Sequence, residues 1–213
     1  MSGPGTGAGR AAGARFVGPG GDGPAAHEGA TGTTASRGTI VASIWAQDRT
    51  GVLGSGTGML WHVPADFAHF KAETLGCPVI MGRASWEALG GALPGRTNVV
   101  ITRDRSYAAP GATVVHSLGE AMEVATHAPC SPGRATVWIT GGARVYAEAM
   151  DLVDELVVTD LDLDVVAAGP SGPVVHAPRI DPSEWVADPA RSDAEWRPRS
   201  GDARWRVTTW VRR

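Results

Sequence analysis

Pro78-Val79-Ile80-Met81, running straight into Gly82-Arg83-Ala84-Ser85-Trp86-Glu87-Ala88-Leu89, sets the fold class. Its first half is apolar without alternation, as expected for a strand covered on both faces, and its second half suits a helix from Ser85 to Leu89. The same type of run recurs at 39–46 (TIVASIWA), 97–102 (TNVVIT), 113–116 (TVVH), 136–140 (TVWIT) and 155–161 (ELVVTDL), with a last one at 204–211 (RWRVTTWV). Helical stretches fit between several of them, at 64–74, 118–126 and 144–150. Strands alternating with helices predict an α/β fold: a central, mainly parallel, twisted sheet with helices on both faces. Residues 185–213 read instead as strand, a Ser-Gly-Asp turn at 200–202, then strand, which predicts an antiparallel C-terminal hairpin at the sheet edge.

Composition narrows the function. The 213 residues, 43% hydrophobic and 19% charged, suffice for one sizeable core. A net charge of -3, from 19 basic and 22 acidic residues without a basic run, gives no reason to expect a nucleic-acid partner. Cys77 and Cys130 lie far apart and outside any C-x-x-C pattern, so neither a disulfide framework nor a thiolate metal site is expected. With no apolar run of membrane-spanning length and no compact signal segment, the expectation is a cytoplasmic protein without a membrane partner. Residues 1–37, largely Gly, Ala, Pro and Thr, cannot bury enough surface to offset chain entropy and read as a disordered tail before a domain at 38–213.

A second stretch raises the chemical question: Gly58-Met59-Leu60-Trp61-His62-Val63-Pro64-Ala65-Asp66-Phe67-Ala68-His69-Phe70-Lys71. Pro64 suits the first helical position, so Asp66 falls in the first turn, where its charge complements the helix dipole. Helical spacing also puts Asp66 on one side with Val63, Phe67 and Phe70 rather than with Lys71. On that side an acid needs a partner, and a ligand with paired N–H donors would serve, at roughly 1.5–3 kcal/mol per charge-assisted hydrogen bond.

Val63–Lys71 (VPADFAHFK), preceded by GVLG and Trp61 and followed by VIMGRASWEAL, LPGRTNVVIT and TGGARVY, closely resembles the dihydrofolate reductase family over roughly residues 39–213. The resemblance implies NADPH-dependent reduction of 7,8-dihydrofolate to 5,6,7,8-tetrahydrofolate by a monomer, with hydride passing to pterin C6 and a proton to N5. It implies that Asp66 binds the pterin and favours N5 protonation, that Thr159 hydrogen-bonds this acid, and that Trp61 belongs to the catalytic group. Ile44, Trp45 and Ala46 would contact pterin and nicotinamide, Phe70, Leu89 and Leu93 would wall the substrate, and Arg96 would hold the glutamate tail's α-carboxylate. Two related readings stay open: a pyrimidine reductase of riboflavin synthesis, and a non-catalytic binder of NADPH or folate.

Cofactor residues fall at two strand-to-helix turns. In Gly82-Arg83-Ala84-Ser85, backbone N–H groups and the Ser85 hydroxyl suit phosphate, and Arg83 suits a 2'-phosphate, which favours NADPH over NADH. In Thr140-Gly141-Gly142-Ala143-Arg144-Val145-Tyr146, paired glycines allow close approach to a pyrophosphate. The resemblance adds Thr102 and Arg103 near the adenosine phosphate, and Ala46, Leu53 and Gly54 on the cofactor side. Four glycines between Gly51 and Trp61 read as a mobile lid. The sequence departs from the family at Leu60, Ala84, Ser85 and Thr140, and at 163–178, which lacks the usual Gly-Asp-Thr-x-Phe-Pro run, so coupling of that loop to the lid is not implied.

Overall fold

A computed structural model describes residues 38–213 apart from 57, 132, 134, 170 and 171. The expected tail, residues 1–37, lies outside the described residues. The elements in chain order are β1 (Ile40–Gln47), β2 (Val52–Ser55), α1 (Pro64–Thr74), β3 (Val79–Gly82), α2 (Arg83–Leu89), β4 (Asn98–Ile101), β5 (Thr113–Val115) and α3 (Leu118–His127). They continue with β6 (Thr136–Ile139), α4 (Ala143–Ala149), β7 (Glu155–Leu161), β8 (Val174–His176), β9 (Trp185–Ala187), β10 (Arg197–Ser200) and β11 (Ala203–Arg212).

The main sheet runs β10-β11-β7-β1-β6-β3-β4-β5, and β9 adds to β11. Its centre and one flank are parallel, with β1 between β6 and β7 and β3 joining β4 to β6, while β11 returns antiparallel along β7. Alternate residues of β1 face opposite layers: Ala42 and Ile44 join the core under α1, Val41 and Trp45 the core under α3 and α4. This two-sided burial is what the unbroken apolar runs required. Pro64 opens α1 at its first position, as expected. At α3, the Ser117 hydroxyl accepts from the Glu120 amide (3.1 Å) and the Glu120 carboxylate from the His116 amide (2.9 Å), closing the first turn reciprocally.

Two expectations need correction. The connection after Gly51 is not all loop, because Val52–Ser55 pairs antiparallel with Val174–His176 in a separate two-stranded sheet. The stretch from Trp185 to the turn at 200–202 is not one strand either. β9 and β10 both pair with β11, and between them the Ser192 hydroxyl and Asp193 carboxylate accept from the Thr209 and Val207 amides at 3.0 and 2.9 Å. Side chains therefore stand in for missing strand carbonyls, and the edge is satisfied without a continuous partner.

The hairpin turn buttresses α1. His62 N–H donates to the Asp202 carboxylate (2.7 Å), Asp202 N–H to the His62 carbonyl (3.0 Å), and Ala65 N–H to the Ser200 hydroxyl (3.0 Å). These bonds fix the chain just ahead of Asp66 through residues about 140 positions away. Gly201 permits the approach: its φ is +61°, and a Cβ there would lie 2.1 Å from the His62 carbonyl oxygen. Gly201→Ala is expected to cost about 1–3 kcal/mol in urea denaturation, because both the left-handed backbone and the clash oppose it. The substitution should also lower turnover, by displacing the start of α1.

Candidate active site

The carboxyl ends of the parallel strands lie side by side, where open α/β sheets generally place their sites. Ala46 of β1 lies opposite Thr159 of β7, and Gly82 ends β3 while Thr140 follows β6. Asp66, in the first turn of α1, is only 6% exposed, so of its two readings the inward-facing one holds. Its carboxylate accepts from the Thr159 hydroxyl. No Arg or Lys pairs with it among the described residues. Burial pushes its pKa above the ordinary aspartate value, opposed by the Thr159 hydrogen bond and by the charge of His69. Asp66 is thus an acid with spare acceptor capacity and a penalty for ionising alone.

Around it, Ile44 is buried, and Ala46, Phe70 and Leu93 pack on the core under α1, whereas Trp45, expected at the ligand, is buried on the other face of the sheet against Tyr146. Trp61 is buried too, and its indole N–H meets no acceptor among the described residues. Leu89, expected as a wall, is 49% exposed at the end of α2. Arg96 lies against Phe70, 5.8 Å from the ring centre, and its donors go to neutral oxygens: Thr74 hydroxyl 2.8 Å, Pro94 carbonyl 2.9 Å and Lys71 carbonyl 3.2 Å. Positioned firmly and with no carboxylate among these partners, Arg96 keeps its charge unmatched at the far end of α1 from Asp66.

The two glycine turns meet. Gly82 N–H donates to the Gly141 carbonyl at 2.7 Å, and the Gly141–Gly142 peptide is cis. A Cβ on Gly141 or Gly142 would lie 3.1 or 3.2 Å from the Ser85 hydroxyl oxygen, so the bare backbone leaves a cradle there. Such a cradle, flanked by a hydroxyl and by backbone N–H groups at helix starts, fits a pyrophosphate. The Thr140 hydroxyl donates to the Ile80 carbonyl (3.1 Å) and the Tyr146 hydroxyl to the Ile44 carbonyl (2.6 Å), so both of these side chains brace the strands. Val145 packs on Gly82, Leu53 packs on the other core, and Ala143 and Arg144 open α4. Arg83, with Ala84 exposed beside it, pairs with Glu87 (2.7 Å) and Asp104 (3.2 Å) and stacks over Tyr107; Arg103 is exposed nearby, next to buried Thr102. Solvent-exposed pairs of this kind are weak enough to yield to a phosphate.

Pattern reading missed the anchor of the glycine-rich connection after β1. The buried Asp48 carboxylate accepts from the amides of Thr50, Val52 and Val165 (2.8, 2.9 and 2.9 Å) and from the Thr50 hydroxyl (2.8 Å). Burial alone would raise its pKa, but these bonds hold it below the usual value. The clue was Asp48-Arg49-Thr50-Gly51, an Asx-turn sequence. Through Val165 and the β2–β8 pairing, Val165 and Val174–His176 are tied to the glycine-rich connection despite the unusual sequence there. Gly54 lets the ribbon fold back, since a Cβ there would meet the Gly58 carbonyl oxygen at 2.5 Å.

A carboxyl whose pKa rises on folding contributes stability that is complete below its unfolded pKa and is lost as pH climbs through the folded one. Asp66→Asn is therefore expected to raise the ligand-free melting temperature at pH 7 by about 2–4 °C, with the gap closing in acid. Differential scanning calorimetry across pH checks this.

Comparison with known proteins agrees with this geometry. The dihydrofolate reductase family model matches residues 40–201. Dihydrofolate reductase of Neisseria gonorrhoeae is 44% identical over 134 residues, 62% of this chain and 75% of the relative. That of Mycobacterium tuberculosis is 41% identical over 128 residues, covering 59% and 73%. A solved dihydrofolate reductase from Enterococcus faecalis, complexed with NADP(H) and RAB-propyl, superposes with a TM-score of 0.70 at 29% identity, over 82% of this chain and 96% of that one. The chain belongs to the dihydrofolate reductase family.

Proposed function

We infer that this chain reduces 7,8-dihydrofolate to 5,6,7,8-tetrahydrofolate with NADPH. The observation that carries the reading is Asp66, a buried carboxylate without a cationic partner among the described residues, placed at the same sheet end as two phosphate-compatible turns. When bound, NADPH supplies the hydride that the pterin receives at C6. Asp66 accepts from the 2-amino group and N3 of the pterin, and Thr159 fixes the carboxylate in that orientation. Its negative charge raises the basicity of N5, which takes a proton from water admitted by the lid. Ile44, Phe70 and Leu93 hold the ring in an apolar slot, with Leu89 at the rim and Trp61 donating its free N–H toward the crevice, while Arg96 takes the α-carboxylate of the glutamate tail. Ser85, Gly141 and Gly142 receive the pyrophosphate, with the chain around Ala46, Leu53 and Gly54 on the nicotinamide side. Arg83, exchanging its surface carboxylates for phosphate, and Arg103 with Thr102 serve the adenosine end. Closure of the Gly51–Trp61 lid excludes bulk water during transfer.

The pyrimidine of riboflavin synthesis is the less favoured substrate, since the relatives that this chain resembles are dihydrofolate reductases. We further infer a cytoplasmic monomer that antifolates inhibit. No helix of the described residues is long and apolar enough to cross a membrane.

NADPH oxidation should be observed with dihydrofolate and not with the riboflavin intermediate, and methotrexate should stop it; binding without turnover would identify a non-catalytic homologue. Asp66→Asn should lower turnover by about 10²- to 10⁴-fold with the fold intact, the range for a lost proton-transfer group. Arg96→Leu should raise KM for dihydrofolate by about 10- to 100-fold, as expected for one or two lost charge-assisted hydrogen bonds, with kcat nearly unchanged. A pterin substrate lacking the glutamate tail should be indifferent to that change.

A further inference from the structure

One row along the sheet from Ala46 and Thr159, a chain of polar side chains crosses three strands. Gln47 of β1 lies opposite Asp160 of β7, and Asp160 opposite Arg206 of β11. Cross-strand partners share a face and successive residues alternate, so these three stand on the reverse face from Ala46 and Thr159. The Gln47 amide Nε2 donates to one Asp160 oxygen (3.2 Å) and Arg206 Nη2 to the other (3.1 Å), and the Arg206 guanidinium lies over the Trp196 ring, 4.9 Å from its centre.

The row is also tied to the helix layer. Trp45, buried on the same face as Gln47, donates its indole N–H to Gln47 Oε1 (2.9 Å) and lies against Tyr146 of α4, with ring centres 5.2 Å apart. An indole only donates and a carboxylate only accepts, so the amide between them has to supply one acceptor and one donor, and Gln47 spends both ends on this link. Beyond the end of β1, Arg49 and Arg204 both pair with Asp162. Those two guanidiniums are more than half exposed, so that row is weak in water and the half-buried Gln47 row carries the restraint. Ala46 is thus held on both sides, Trp45 being fixed to α4 and Gln47 to β7, by side chains that point away from the ligands.

We propose that Gln47 is a positioning residue: by joining Trp45 to Asp160 on the reverse face of the sheet, it sets where Ala46 stands relative to Thr159, and so where the nicotinamide stands relative to the pterin. The role depends on the reading given above, in which Ala46 contacts the nicotinamide and Thr159 orients Asp66 for the pterin. Hydride transfer requires the two rings in near-contact alignment, so a small shift of this strand end costs rate at saturation rather than affinity for either ligand.

The test uses the full chain in single-turnover stopped flow, with NADPH and dihydrofolate both saturating. Gln47→Leu removes the acceptor for the indole and the donor to Asp160, and hydride transfer should slow by about 10- to 100-fold, the scale of a misplacement away from the chemistry. NADPH and methotrexate, each titrated alone, should bind as to the wild type, which also reports that the variant is folded. Gln47→Glu sets two carboxylates against each other and should be slow as well. The double variant Gln47→Glu, Asp160→Asn exchanges donor and acceptor between the two side chains at unchanged net charge, and should recover most of the wild-type rate; this comparison decides the matter even if Gln47→Leu folds poorly. A wild-type rate in folded Gln47→Leu, or a double variant as slow as Gln47→Glu alone, would overturn the role of Gln47 and leave the proposed reaction standing. A wild type that binds NADPH but passes no hydride to dihydrofolate would overturn the reaction and this role together.

Discussion

The site rests on one electrostatic constraint: an ionisable carboxyl is held in an apolar crevice with a hydroxyl, not a cation, as its partner. Thr159 reaches Asp66 because β7 pairs with β1 in a register that puts Thr159 opposite Ala46, at the strand end under α1. Asp66 is turned inward because Pro64 starts the helix and the 200–202 turn clamps residues 62–65. A basic side chain at this point would relieve the strain of burial and remove the chemistry with it. Left uncompensated, the charge stabilises whichever ligand brings matched N–H donors, so part of the folding free energy forgone in the empty protein returns as binding specificity.

The rest of the crevice follows the same division between rigid support and unused capacity. Tyr146 and Thr140 spend their hydroxyls on strand carbonyls, which fixes the glycine turns beside Gly82. Arg96 is pinned by neutral oxygens and keeps its charge available. Asp48 contrasts with Asp66: also buried, it is saturated by three amides and a hydroxyl and serves as a structural anchor. Two buried aspartates therefore take opposite roles because one has its hydrogen bonds supplied by the chain and the other does not.

Much of this was legible in the sequence, for local reasons. Pro64 and the helical spacing of Asp66 gave α1 its observed bounds, and the apolar run Glu155–Leu161 gave β7 its own. What pattern could not supply was pairing between distant segments. β2 and β8 are short, glycine-flanked or half-exposed, and become strands only by meeting each other. The split of the C-terminal arm into β9 and β10 depends on Ser192 and Asp193 replacing backbone acceptors, a choice invisible until β11 is alongside. Arg83 signalled a phosphate ligand, yet in the structure it has carboxylate partners, one of them 21 positions away.

The central claim is that the crevice holds an acid whose charge is unmatched until substrate arrives, and its protonation can be read directly. Carbon-13 NMR of aspartate side-chain carboxyls, with the Asp66 signal identified by its loss in Asp66→Asn, should show that group in the ligand-free protein titrating above the ordinary aspartate range. On saturation with folate and oxidised cofactor the transition should move to lower pH. A transition at or below the ordinary range in the empty protein, unmoved by the ligands, would contradict the account.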